Sequence, residues 1–266
     1  MKASDNISKE NIIKYLSGDM FACDIHILDS VDSTNNYAKK LASSGAPHGS
    51  VVIAKKQTAG RGRLDRSFYS PSDAGVYLSI VLRPEFDVER ILLITAAASV
   101  ALCRAIDFVA HMNTEIKWVN DIYLKGKKLC GILAETNSSN IGSVDYIILG
   151  IGINVTNNAF PPDIKDVATS LLMNTDIQID TNLLIAQVLN EFEKVYADIC
   201  ADNIKGIMDE YKKRSCVIGK KVKAICAGKE REVFVCDIDD FGALVVKNEE
   251  GQYEKISSGE ISIRFL

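Results

Sequence analysis

The change of texture after Lys212-Lys213-Arg214 constrains this fold more than any other feature. Beyond it, residues 222–226, 232–238, 242–246 and 253–257 read as short alternating strands, split by Gly228, Asp239-Asp240, Glu250-Gly251 and Gly259. Four or five short strands within about fifty residues suggest a small barrel of SH3-like type. The sequence therefore divides into a mixed α/β (α+β) domain over residues 1–214 and a barrel over residues 215–266, with the junction inside residues 213–219.

In the first part, apolar spacing alternates between strand and helix periods. Ser8, with Asn11 three residues on, begins a short helix carrying Ile12, Ile13 and Leu16. A strand over residues 24–28 leads into a helix that starts at Ser33-Thr34-Asn35, with Tyr37, Ala38, Leu41 and Ala42 on one face. Residues 50–55 read as a buried strand rich in β-branched residues, and residues 75–82 as another strand. Glu85, Asp87 and Glu89 mark a helix start, and residues 91–109 make a central, largely buried helix. Strands are predicted at 115–119 and 122–124, then an antiparallel pair at 129–135 and 144–155 joined by the turn-rich residues 136–142. Asp180 caps an amphipathic helix carrying Leu183, Leu184, Val188, Phe192, Val195, Tyr196 and Ile199, and a shorter helix follows over 204–211.

Composition narrows the function. Lys plus Arg is 31 against 35 Asp plus Glu, a net charge of −4, which speaks against wholesale nucleic-acid binding. The segment before residue 24 is too short for a helix-turn-helix domain, so no DNA partner is expected. Residues 91–102, the most apolar run, fall short of the roughly 18 uncharged residues of a membrane span, so no membrane partner is expected either. The seven cysteines form no C-x-x-C pair and no secretory h-region precedes them, which reads as reduced thiols in a cytoplasmic protein. His26, His48 and His111 are far apart, which argues against a histidine-rich metal site.

Two segments carry chemistry. Gln57–Pro71, QTAGRGRLDRSFYSP, sets Arg61, Arg63 and Arg66 among glycines between buried strands. Backbone N–H groups can point at an anion there while planar guanidiniums close around it. The alternative is a solvated basic loop. In residues 117–135, KWVNDIYLKGKKLCGILAE, Lys128 opens a strand in which Gly131 lets a ligand lie against the backbone. Lys127-Lys128 is otherwise a solvated hairpin tip, Asn120-Asp121 a turn pair, and Trp118 a core residue. Gly150-Ile151-Gly152-Ile153-Asn154-Val155 stops short of a dinucleotide fingerprint and lies in a strand with no helix after it. Neither a Walker A sequence nor a G-x-S-x-G elbow occurs.

Taken in order, Ser33-Thr34-Asn35, Q-T-A-G-R-G-R…S-P, K-W-V-N-D…K-K-L-C-G-I-L-A-E, G-I-G-I-N-V and the terminal G-E-I-S-I-R resemble the biotin protein ligase family, from about Asp24 to the C-terminus. The resemblance implies a catalytic domain similar to class II aminoacyl-tRNA synthetases plus an SH3-like barrel. It implies ATP and biotin as substrates, with Mg²⁺ expected on the triphosphate and its ligands unknown. Biotinyl-5′-AMP would form first, and a lysine of a biotin carboxyl carrier protein domain would then take the biotin.

By the same resemblance Arg61, Arg63 and Lys128 serve the carboxylate and α-phosphate. Ser33, Thr34, Asn35, Gln57, Gly60, Gly131, Leu133, Gly150 and Gly152 frame biotin, and Arg66, Phe68, Asn154, Glu260 and Arg264 join Arg63 and Lys128 at the nucleotide. Asp121 is expected to orient or deprotonate the incoming lysine. Two positions depart from the family pattern: Phe68 stands where Trp is usual, and Val119 where Pro is. The arginine loop, with little apolar surface to pack, is expected to be disordered without ligand and to fold over the adenylate. Relatives of this kind occur as monomers and homodimers. The competing readings are a lipoate or octanoate ligase or transferase of the same catalytic fold, and a non-enzymatic protein that captures an anionic ligand.

Overall fold

A seven-stranded sheet organises the first part of the chain, which a computed structural model describes over residues 7–64, 66–84, 91–137, 144–226, 229–257 and 261–265. Its strands are β1 (Ile25–Leu28), β2 (Val51–Ala54), β3 (Gly75–Leu82), β4 (Glu115–Lys117), β5 (Asp121–Leu124), β6 (Lys127–Asn137) and β7 (Tyr146–Asn154). They lie in the order β1-β2-β3-β7-β6-β5-β4. Only the β1–β2 pair is parallel, and helix α2 (Thr34–Ser43) makes its crossover. Strands β3 and β7 are buried along their whole length, as their unbroken apolar runs require.

Helices cover both faces of the sheet. On one face lies α3 (Ile91–Ala110), packed against α4 (Thr181–Cys200) and α5 (Lys205–Arg214). By length and composition α3 could cross a membrane, but it is the core helix here, and its polar residues are paired: Arg104 with Glu210 and Glu191, Asp107 with Arg214. Helix α1 (Lys9–Tyr15) packs on α4, its first turn capped by Ser8 as the sequence predicts. Asp180 likewise caps α4, its carboxylate accepting from the Asn182 and Leu183 amides.

The other face is only half covered. Ala38 and Ala42 of α2 pack on Val52, Val81, Tyr146 and Ile148, and there the helical cover ends. Side chains alternate along β7, so Gly150 and Gly152 share the face of Ile148 beyond the end of that cover. The pairing aligns Tyr77, Gly152, Gly131, Asp121 and Lys117 in one row across five strands, with Ser79, Gly150 and Leu133 in the row beside it.

The C-terminal part is an SH3-like five-stranded antiparallel sheet: β8 (Lys221–Cys226), β9 (Lys229–Ile238), β10 (Leu244–Lys247), β11 (Tyr253–Ile256) and β12 (Ile261–Phe265). Strand β12 closes the order β11-β10-β9-β8-β12 and was not individually legible in the sequence. Three further differences are local. Strand β4 ends at Lys117 and not at residue 119, α5 continues to Arg214, and Asp121 opens β5 by pairing with Lys117 where a turn pair was the default reading. The predicted helix start at Glu85, Asp87 and Glu89, most of the 136–142 connection, Gly228 and Gly259 lie outside the described residues.

Candidate active site

A cavity of about 410 Å³ opens over the uncovered half of the sheet. Its floor is the backbone of Gly131, Gly150 and Gly152, and its walls come from the N-terminus of α2, the arginine loop and the β4–β6 region. Arg61, Arg63, Arg66, Lys117 and Lys128 line it, against one lining carboxylate among the described residues, Asp121. Such a wall favours an anionic ligand, and the glycine floor favours a flat one.

A β-bulge aims Lys128. The β5–β6 pairing shifts between Ile122 and Tyr123, so Lys128 faces Tyr123 while Cys130 faces Ile122, and Leu129 is extra. Without it Lys128 and Gly131, three residues apart, would point to opposite faces; with it both face the cavity. Residues 167–169 hold the lysine's backbone, its amide donating to the Val167 carbonyl at 2.8 Å and the Thr169 amide donating back at 2.9 Å. The Lys128 ammonium lies 2.7 Å from Asp121 Oδ1, above Gly131.

The arginine loop folds back on itself. The Gly62 amide donates to Arg66 O at 2.7 Å and the Phe68 amide to Gly60 O at 2.9 Å. Gly60 is a packing position behind the cavity wall, since a methyl there would meet Phe68 O and Ser70 Oγ at 2.5 Å. Arg63 Nη1 donates to Asn120 Oδ1 at 3.3 Å, while Arg61 Nη1 donates to Asn36 Oδ1 at 3.1 Å and lies 3.4 Å from Glu135. Burial lowers the Arg63 guanidinium from its ordinary value, with Asp121 acting the other way. The expectation of a loop with little packing is corrected at Phe68, whose ring lies on Gly131 and Gly152 with its edge toward Tyr77.

Gln57 spends both ends of its amide on protein. Its Oε1 accepts from the Thr34 amide and hydroxyl at 2.9 and 3.1 Å, and its Nε2 donates to Ser70 Oγ at 2.9 Å. It thus ties the start of α2 to the return of the loop. Ser33 stands at the N-cap of α2 but makes no side-chain capping bond. Asn35 is locked: its Oδ1 accepts from Ser79 Oγ at 2.6 Å and its Nδ2 donates to Glu135 at 2.8 Å.

The cavity brings together Ser33, Thr34, Asn35, Gln57, Arg61, Arg63, Arg66, Phe68, Asp121, Lys128, Gly131, Leu133, Gly150 and Gly152. Asn154 is buried outside its wall, with Nδ2 donating to Thr169 O at 3.1 Å and Oδ1 unpartnered. Glu260 lies outside the described residues, and of Arg264 only the backbone, in β12, is described.

Sequence reasoning passed over Lys117, whose ammonium donates to Tyr123 Oη at 3.0 Å and whose pKa burial lowers, with Asp121 opposing. It also passed over Glu135, which holds Lys39 at 2.6 Å as well as Asn35 and Arg61. Period-two spacing from Gly131 and Leu133 was the available signal for Glu135. No group of three or more His, Cys, Asp or Glu side chains suited to a metal occurs among the described residues.

Residues 27–154 match the biotin/lipoate A/B protein ligase family, and residues 217–264 match the biotin protein ligase C-terminal domain. Among curated proteins, the bifunctional ligase/repressor BirA of Bacillus subtilis is 37% identical over 237 residues, covering 88% of this chain and 72% of that protein. The biotin–[acetyl-CoA-carboxylase] ligase of Mycobacterium tuberculosis is 32% identical over 89% of this chain and 88% of its own length. Among solved structures, the biotin protein ligase of Aquifex aeolicus in complex with biotin and ATP aligns with a TM-score of 0.81 at 29% identity, covering 92% of this chain and 100% of that one.

Proposed function

Because this chain belongs to the biotin protein ligase family, we propose that it joins biotin to ATP as biotinyl-5′-AMP and passes the biotinyl group to a lysine of a biotin carboxyl carrier protein domain. One observation carries the chemistry. Lys128 and Arg63 line one cavity over a glycine floor, with Asp121 beside Lys128 as the one lining carboxylate among the described residues.

The first step joins two anions. The biotin carboxylate oxygen attacks the α-phosphorus of ATP, and the bond to the β-phosphate oxygen breaks to release pyrophosphate. Arg63 and Lys128 lower the repulsion that would keep the reactants apart, and fixing both on one floor supplies proximity. Arg61, tied to Asn36 and Glu135, stands at the rim, where it closes the carboxylate end. Ser33, free of capping, offers its hydroxyl to the ureido end of biotin, while Gln57 and Asn35 shape the slot.

In the second step the lysine amine attacks the acyl carbon and AMP leaves. A lysine near pKa 10.4 is mostly protonated at neutral pH, so a base must expose its lone pair. Asp121 serves here. In the free protein its carboxylate is paired with Lys128; once the phosphate draws that ammonium away, the carboxylate is available to accept the proton. Mg²⁺ accompanies this reading as counter-ion of the triphosphate. Asp121 is the one lining carboxylate, so the described residues offer the metal no cage of their own. We assign Arg66 to the nucleotide side, together with Asn154, Glu260 and Arg264 from the family pattern; Phe68, whose ring rests on Gly131 and Gly152 in the free protein, joins them on this reading once biotin takes the floor. The work is cytoplasmic on this reading, and the six cysteines whose side chains are described are unpaired.

The test is mass measurement of a carrier domain incubated with the chain, ATP and biotin. A gain of one biotinyl group supports the proposal. No gain with biotin, or a gain with lipoate or octanoate, overturns it.

A further inference from the structure

The segment from Ile116 to Asp121 is pinned residue by residue, and three of the pins come from far along the chain. The Cys216 amide donates to Ile116 O at 2.9 Å. Trp118 Nε1 donates to Gly242 O, between β9 and β10 of the barrel, at 2.9 Å. Tyr211 Oη, on α5, donates to Val119 O at 3.1 Å. Asn120 Nδ2 donates to Ile132 O at 2.7 Å, the Ile132 amide returns a bond to Asn120 O at 2.9 Å, and Arg63 donates to the Asn120 side chain. Asp121 then opens β5 opposite Gly131.

We infer that Tyr211 is a positioning residue for the transfer step, holding the Trp118–Asn120 turn so that Asp121 faces the acceptor amine. Tyr211 is 1% exposed and Val119 is 5% exposed, so removing the hydroxyl leaves a buried carbonyl without its donor, and water is poorly placed to replace it. Arg214, three residues on, fixes the helix that carries Tyr211 through Asp107 and the Thr114 carbonyl. The hydroxyl therefore has a rigid base, and the adjacent Trp118 bond makes the barrel a second support of the same turn. This inference rests on the proposed transfer chemistry and extends it to a helix outside every motif read from the sequence.

Transfer from preformed biotinyl-5′-AMP to the carrier domain is measured in single turnover for the wild type, Tyr211→Phe and Met208→Ala. Met208 is buried on the same helix and does not touch the turn's hydrogen bonds, so it reports loss of packing alone. A displaced base costs rate, and the expected fall in Tyr211→Phe is between about tenfold and about a hundredfold, with the carrier KM held within about twofold. Met208→Ala is expected to melt earlier yet transfer at the wild-type rate. Wild-type transfer by Tyr211→Phe, a change confined to KM, or an equal slowing in Met208→Ala overturns the inference.

If Tyr211→Phe does not fold, Trp118→Phe removes the barrel-side bond and is expected to slow transfer in the same way; an unaltered rate there overturns it. A wild-type chain with no transfer at all contradicts the proposed function instead. The positional claim then reads out in hydrogen exchange at the Ile132 amide, which Tyr211→Phe is expected to accelerate; unchanged protection overturns it.

Discussion

Replacing Gly152 by alanine places a methyl 2.5 Å from Phe68 Cε1, 2.8 Å from Cζ and 2.9 Å from Cδ1. Ordinary carbon contacts lie near ~3.5 Å, so the ring must retreat by about 1 Å. The Phe68 amide is bonded to Gly60 O and the ring abuts Tyr77, so the retreat disturbs the return of the arginine loop. Overpacking of this kind costs about 1–3 kcal/mol. At about 2–4 °C per kcal/mol for a chain of this size, the melting temperature falls by roughly 2–12 °C. With Phe68→Ala already in place the obstruction is gone. Alanine is then favoured over glycine in a strand by about 0.5–1 kcal/mol, so the sign reverses and the second substitution stabilises. Biotin affinity falls in both backgrounds by at least about tenfold, because the methyl occupies the flat floor. Calorimetry on the four proteins of the cycle, with titration of biotin into each, gives both quantities. An equal destabilisation by Gly152→Ala with and without the Phe68 ring would refute the reasoning, as would unchanged biotin affinity.

Three further outcomes are expected. Asp121→Asn slows transfer from preformed adenylate by about 10²–10⁴-fold while pyrophosphate release continues; transfer at the wild-type rate excludes the base. Burial pushes Glu135 upward, but hydrogen bonds from Lys39 and Asn35 and the charges of Lys39 and Arg61 outweigh it, leaving the carboxyl below its ordinary 4.5. A depressed folded value contributes stability above the unfolded pKa that is lost as pH falls through the folded one. The gap in melting temperature between wild type and Glu135→Gln should therefore narrow from neutral pH toward about pH 3, and a constant gap contradicts the assignment. Trypsin cleavage after Arg63 and Arg66 should slow when biotin and ATP are both added, as the loop closes on the adenylate; identical digestion rates with and without them count against closure.

Much of this arrangement was legible in the residues. Ser8 and Asp180 announced their helices because a capping oxygen acts on the next turn. The unbroken apolar runs of β3 and β7 go with strands that are buried along their whole length. Other features depend on pairing, which a linear pattern does not contain. The bulge that brings Lys128 onto the face of Gly131 becomes visible only once β5 and β6 are aligned. Asp121 read as half of a turn because its strand partner, Lys117, is so near in sequence. Gln57 and Phe68 fitted ligand contacts, yet each also serves the scaffold, since Gln57 ties α2 to the loop and Phe68 packs the loop on the floor. Tyr211 carries no local signal, since its partner Val119 is 92 residues away.

The central claim is that Arg63 and Lys128 bring a biotin carboxylate onto the α-phosphorus of ATP. Isotope exchange between pyrophosphate and ATP tests it most directly. The purified chain should catalyse exchange when biotin is present, should give none with lipoate or octanoate, and should lose it in Lys128→Ala. Absence of biotin-dependent exchange in the wild type, or its persistence at full rate without the lysine, would contradict the claim.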